Sequence, residues 1–228
     1  MSHIDRTLLR LHVEAVWGVR LPPVVQNDIE VLPGGVQPSW KLLVAEEANE
    51  HIHIWRSDVS DRDRKALLMR ANEAMLLPST ESTASGISRE VPLHLAAQPV
   101  LDIARAQQIA RPLTSRDHSV VESFQRVLGE PFLDAETRPL IGVIIDERLV
   151  SLAHSSRRTP EACELGVDTL VEARRRGYAL AATVTWTHMV LQEGLVPLYS
   201  ALADNKASLA LAAAAGYRVF AYIATVED

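Results

Sequence analysis

Cysteine is nearly absent: Cys163 stands alone in 228 residues. One thiol forms no intramolecular disulfide and no cysteine-rich zinc site, and a reducing cytoplasm fits it. Aromatic residues are scarce at 5%, so the core has to come from Leu, Val, Ile and Ala. No run approaches the roughly 18 apolar residues of a membrane span. The most apolar stretch, 209–215, is alanine-rich and far shorter. The first ten residues lack an apolar run and a cleavage-site pattern, so no signal peptide is expected. A basic field is missing too. The net charge of −6 argues against non-specific nucleic-acid binding and is compatible with cationic small substrates. Neither Gly-x-Gly-x-x-Gly after a strand nor a Gly-Lys-Ser/Thr loop is present, which weighs against a nucleotide-binding α/β domain.

What is present supports a folded chain. Hydrophobic residues make up 47% and charged residues 23%, enough for one large domain or two small ones. Two stretches, 1–112 and 113–228, differ in kind. In the first, His12–Arg20 alternates loosely and reads as a strand ended by Pro22-Pro23. Further strands are expected over 28–32, 40–45 and 51–55. A helix is expected over 61–76, capped by Asp58 or Ser60. His51 and His53 share a strand face, but no third ligand with metal spacing follows, so they read as structural or exposed. Residues 79–88 are small and polar, a loop or linker. This stretch carries no motif of its own; a degenerate copy of the C-terminal fold, or a lid, are the two readings.

The second stretch has a clear rhythm. A helix over 120–128 follows the capping cluster Ser115-Arg116-Asp117 and stops at Gly129. Strands over 139–145 and 149–155 make a hairpin, and a third strand covers 162–169. A helix over 177–192, a strand over 196–202, a helix over 206–215 and a strand over 217–224 complete the order β-β-β-α-β-α-β. The fold class is α+β, a mixed sheet with helices packed on it.

The chemistry concentrates at Arg174-Arg175-Arg176-Gly177-Tyr178-Ala179, between a strand and a helix. The first N–H groups of a helix have no internal partner and carry the positive end of its dipole. A diphosphate is held there by several backbone donors. Gly177 lets the backbone approach closely, and the arginines add bidentate donors. On its own the loop also reads as a solvated basic helix start.

Arg174, Gly177 and Ala179 match in order the Gln/Arg-x-x-Gly-x-Gly/Ala loop of the GNAT superfamily, which the chain resembles over roughly 113–228. A second match lies downstream: Pro197-Leu198-Tyr199-Ser200, then Asp204-Asn205-Lys206-Ala207-Ser208, then Ala214-Ala215-Gly216-Tyr217. The resemblance implies a GNAT-like acyltransferase fold for the C-terminal half. It implies acetyl-CoA as co-substrate, held by Val167, Asp168 and Thr169 through the strand and by Arg174–Ala179 through the loop. Asn205 would contact the cofactor, and Ser208 would lie near its thiol end. Asp204 and Asn205 are also good helix caps.

One departure stands out. Many family members carry a tyrosine four residues before the Gly of Gly-Phe/Tyr, which protonates the leaving thiolate. Here that position is Ala212, and Tyr199 and Ser208 are substitutes by proximity. Glu164 is the first candidate general base and His154 the next; a chain of waters is the alternative. Cys163 and Trp186 read as core. The expectation is therefore a cytoplasmic N-acetyltransferase that uses acetyl-CoA and no metal. Its acceptor is a primary amine of a small molecule or peptide. Nucleic acid and membrane are not expected as partners, and a homodimer is an option. The alternative is a non-catalytic acyl-CoA-binding sensor or scaffold, prompted by Ala212.

Overall fold

A computed structural model describes residues 5–47, 50–78, 81, 84–129 and 137–227. The first half of the chain carries α1 (Arg6–Trp17), β1 (Asp28–Glu30), β2 (Leu42–Glu47), β3 (Glu50–Trp55), α2 (Asp61–Leu76), β4 (Ile87–Leu95) and α3 (Ile103–Ile109). Next come β5 (Arg111–Pro112), α4 (His118–Leu128), β6 (Ile141–Ile145), β7 (Arg148–Arg158) and β8 (Ala162–Thr169). The chain ends with α5 (Tyr178–Gln192), β9 (Val196–Leu202), α6 (Lys206–Ala214), β10 (Tyr217–Val219) and β11 (Tyr222–Val226). These elements form two units. One holds residues 1–94, 200–209 and 219–228; the other holds 95–199 and 210–218.

In the first unit the strand order is β1-β3-β2-β11-β4. β1 runs parallel to β3, and the other neighbours are antiparallel. Alternation along the strands builds two apolar layers. Leu43, Ala45, Ile52, Ile54 and Ile223 pack with Leu9 and Val13 of α1. Leu42, Val44, Trp55 and Val226 pack with Leu67 and Ala71 of α2. The segment expected as a strand over 12–20 is mostly helix, and the reason lies upstream. Asp5 caps the helix by accepting the N–H groups of Thr7 and Leu8, both at 3.0 Å. Gly18 closes it in the left-handed region at φ 65°. Leu9, His12, Val13 and Ala15 then fall on a buried helical face. The loop expected over 79–88 lies partly outside the described residues, and its last two residues, Ile87 and Ser88, open β4.

In the second unit the order is β9-β8-β7-β6-β5. The β6–β7 hairpin turns at Asp146 and Glu147, whose φ values of 47° and 59° match the twist of the flanking strands. α5 packs on β6, β7 and β8, α3 packs on α5, and α4 packs on β7. The capping device before α4 centres on Asp117. Its carboxylate accepts from Arg111 at 2.6 and 3.0 Å and from the Thr114 amide at 2.8 Å. Those donors hold its carboxyl well below the usual range, the Arg111 bond being the largest cause. The strand expected over 217–224 is split into β10 and β11. Among the described residues no helix is long and apolar enough to cross a membrane.

Candidate functional site

The arginine loop joins β8 to α5 through a short 3-10 turn over Val171–Ala173. Arg174 Nε donates to the Thr169 carbonyl at 3.2 Å, which ties the loop back to the strand end. Arg175 sits in the left-handed region at φ 60°. A non-glycine residue there costs roughly 1–3 kcal/mol, and such strain concentrates at ligand sites. Gly177 is the N-cap residue of α5 at φ 81°, and no side chain caps the helix. A Cβ on Gly177 would meet nothing within 4 Å, so the glycine serves the backbone angle and leaves the approach open. Arg174, Arg175, Arg176 and Gly177 are exposed, while Tyr178 and Ala179 are half-buried in the first turn of α5. Arg175 and Gly177 are left-handed ahead of a helix start that no side chain caps, so first-turn N–H groups of α5 have no side-chain acceptor, the arrangement an anion can use.

The strand ahead of the loop parts from its neighbour. The parallel ladder of β8 with β9 has three pairs and ends at Glu164↔Leu198. Its ladder with β7 runs on to Thr169↔Ser151. Among the described residues no strand registers with Leu165–Thr169 on the β9 side. Val167, Asp168 and Thr169, the residues expected to hold a pantetheine arm, are half-buried on that stretch. Backbone edge groups left without a ladder are what an extended amide chain can pair with.

The two faces of β8 differ. On one face, Ser151 Oγ and Thr169 Oγ1 lie 2.8 Å apart, and Trp186 of α5 donates to Ser155 Oγ at 3.3 Å. Ser155 is opposite Leu165, so Leu165, Val167 and Thr169 share the α5 face. Glu164, Gly166 and Asp168 alternate onto the other face. His154 pairs across from Gly166 there, with its Nε2 3.9 Å from Asp168 Oδ2. Glu164 and His154 are buried, and Asp168 is half-buried. The structure thus groups both candidate bases with an acidic side chain named only as a backbone contact. Gly166 was not singled out in the sequence. Only the β7–β8 register, which the sequence leaves open, shows that it faces His154.

The remaining candidates lie on other elements. Tyr199 is buried, with its ring centroid 5.5 Å from that of Tyr217. Tyr217 shares a 2.7 Å hydrogen bond with Thr187, and burial pushes its hydroxyl up from the ordinary value. Asn205 and Ser208 belong to the first unit. Asn205 Oδ1 accepts the Ser208 N–H at 3.1 Å, so Asn205 caps α6. Ala212 is fully buried. Cys163 is buried, and desolvation pushes its thiol up. His53 is bound by its Nδ1 to Asp28 at 3.0 Å, a structural contact at the β1–β3 edge.

The second unit is thus a mixed sheet whose parallel pair parts ahead of a helix start that no side chain caps. Residues 136–224 match the model of the GNAT acetyltransferase family. The match spans β6 through α6, the stretch that holds β8, the arginine loop and α5. A GNAT-family acetyltransferase from Colwellia psychrerythraea shares the fold with a TM-score of 0.53 at 13% identity, over 76% of this chain and 75% of that one. A GNAT-family protein from Novosphingobium aromaticivorans is similar with a TM-score of 0.47 at 21% identity, over 65% and 70%. Among curated proteins none matches.

Proposed function

We propose that the protein is an N-acetyltransferase that moves an acetyl group from acetyl-CoA to a primary amine of a small molecule or peptide. The observation that carries this reading is the uncapped start of α5, preceded by the left-handed residues Arg175 and Gly177. The fit to a diphosphate is chemical: exposed guanidinium groups beside backbone donors with open space in front of them. Arg174–Ala179 would hold the pyrophosphate, and the edge of Val167–Thr169 the pantetheine amides. Acetyl-CoA supplies the acetyl group as a thioester; the chain positions it, holds the neutral amine and takes up its proton. A cytoplasmic site of action belongs to the same proposal.

Calorimetry tests the reading. Arg174→Glu with Arg176→Glu, or Gly177→Val, should take acetyl-CoA affinity below detection while circular dichroism stays as in the parent. Unchanged affinity in these variants overturns it. The buried Ala212 favours a second reading, an acyl-CoA-binding sensor without turnover. Thiol release measured over a panel of amines separates the two: saturable binding with no release for any amine selects the sensor.

A further inference from the structure

The arginines of the loop are not equivalent. Arg174 is extended at φ −64° and ψ 158°, while Arg175 is left-handed at φ 60°. Arg174 Nε donates to the Thr169 carbonyl at 3.2 Å. Arg175 and Arg176 are exposed, and among the described residues their guanidinium groups bond to nothing in the chain. The acid of the same turn, Glu172, is engaged by Arg148 at 3.2 Å, so Arg174 meets a neutral carbonyl and not a carboxylate. That carbonyl has a particular place. The Leu170 amide bonds to the Val150 carbonyl at 3.0 Å and continues the β7–β8 register. Residues of an antiparallel ladder alternate between bonding the neighbouring strand and turning to the other edge. Thr169 and Val167 therefore turn their backbone groups to the edge from which β9 has parted. The Thr169 side chain is fixed as well. Its Oγ1 lies 2.8 Å from Ser151 Oγ, which donates to the Asp168 carbonyl at 3.2 Å.

From this arrangement we infer that Arg174 is a positioning residue, the joint between the strand edge and the phosphate loop, and that the charge offered to a diphosphate comes from Arg175 and Arg176. The inference rests on the acetyltransferase reading above and divides its loop into two roles. With the Thr169 carbonyl taken, an extended amide chain on this edge is left with the Thr169 N–H and the backbone groups of Val167. The separation between those groups and the first turn of α5 is held by the Arg174 bond. A ligand with amides at one end and a diphosphate at the other binds more tightly when both its sites are fixed in advance. The donor and the charge of Arg174 are separable by chemistry. Glutamine places an N–H donor as many bonds from Cα as Arg174 Nε, without the charge. Lysine keeps the charge and has a methylene at that place.

The experiment titrates acetyl-CoA into the full chain by calorimetry. At about 1 M salt, where the screening length is about 3 Å, Arg174→Gln should bind within about twofold of the parent. Arg174→Lys and Arg174→Met should bind roughly fivefold more weakly, the fold-change of one net hydrogen bond. Arg175→Gln and Arg176→Gln should weaken binding at low salt, and their loss should shrink as salt is added. Nitrogen-15 spectra of the ligand-free chain give a readout that needs no binding. The Arg174 Nε–H should exchange with water more slowly than those of Arg175 and Arg176. Parent-like affinity in Arg174→Lys beside a loss in Arg174→Gln overturns the proposal, because charge and not the donor then matters. An Arg174 Nε–H that exchanges as fast as that of Arg175 overturns it too, because the joint is then absent. A parent protein that binds no acetyl-CoA overturns the acetyltransferase reading and the ligand-positioning role with it, and a protected Arg174 Nε–H in that case marks the failure as that of the reading and not of the joint.

Discussion

The two units keep their polar groups in different places. Ten polar or charged side chains are buried among the described residues, and all but His12 and Thr225 fall in the second unit. The first unit seals aliphatic side chains on both faces of its sheet and leaves its polar contacts near the surface. Arg64 pairs with Glu30 at 2.5 Å and lies over the Trp55 ring, and Asp28 binds His53 and Trp55. The second unit takes hydroxyls, two carboxylates and an imidazole inside. Buried polar groups are costly unless partnered, and they concentrate where a fold does chemistry. The contrast teaches that the second unit gives up simple apolar packing for a worked interior, and the first does not.

The largest test of that contrast is a backbone one in the second unit. Gly216 has φ 95°, and a Cβ there would come 2.3 Å from the Ala97 carbonyl oxygen. The Gly216 carbonyl in turn accepts the N–H groups of Ala96 and Ala97 at 3.1 and 3.0 Å. Gly216→Ala should lose roughly 3 kcal/mol in urea unfolding, from left-handed strain plus overpacking. A loss below about 1 kcal/mol would show that the 95–100 segment moves away at little cost.

Next comes Asp117. Asp117→Ala should cost about 2 kcal/mol at pH 7, because it removes charge-assisted bonds from Arg111 and Thr114. The folded carboxyl is held below its unfolded value. Its contribution is therefore complete above the unfolded value of about 3.9 and is lost as pH falls below it. Stability curves of parent and variant should converge on acidification; parallel curves would contradict the assignment.

Among the described residues the first unit buries two polar side chains, Thr225 and His12, and of these only His12 is ionisable. His12 is fully buried, its ring edge-on to Trp17 and Phe220, and neither ring nitrogen has a hydrogen-bond partner. Desolvation takes its pKa down to about 3. The unfolded chain takes up a proton below about pH 6.5 that the folded chain refuses. Stability therefore falls as pH drops from there towards 3, by roughly 1.4 kcal/mol per pH unit, and is unaffected above. His12→Leu should remove that slope, making the variant more stable relative to the parent at pH 5.5 than at pH 7.5. An equal difference at both values would mean that the site admits a charge or water.

The smallest effect concerns the end of α2, which has no glycine cap. Arg89 of β4 donates instead to the carbonyls of Ala74, Leu77, Pro78 and Glu81 at 2.6–3.2 Å. Arg89→Ala should cost about 1 kcal/mol, read as earlier thermal unfolding and weaker amide protection over 74–77.

Much of the second unit was legible in advance because its signals are local. The bounds of β8 and β9, the hairpin at Asp146–Glu147 and the loop before α5 follow from apolar runs and turn residues. The start of α2 and its end did as well. α1 departs from the expected strand because its cap, Asp5, lies outside the alternating window 12–20. β4 and α3 carry weak local signals: β4 holds Pro92 and follows a polar linker, and α3 has only seven residues. The Glu164 face of β8 shows where local reading stops. Glu164 and His154 were named from residue type and strand position, but their grouping with Asp168 over Gly166 depends on a register across the β7–β8 pair with a bulge between Ser155 and Arg157. Register is a property of two strands at once.

β11 gives the fold a timetable. It sits between β2 and β4, pairing Val226 with Leu42 on one side and with Ile87 on the other. During synthesis the first unit's strands have made all their own residues long before their central partner leaves the ribosome. Until then β2 and β4 each present an open edge, the feature most prone to pairing with a wrong chain. The closing contact spans nearly the whole chain, so its formation is expected to be slow relative to the local hairpin of the second unit. Loss of the last few residues would strike the opposite end of the sequence first.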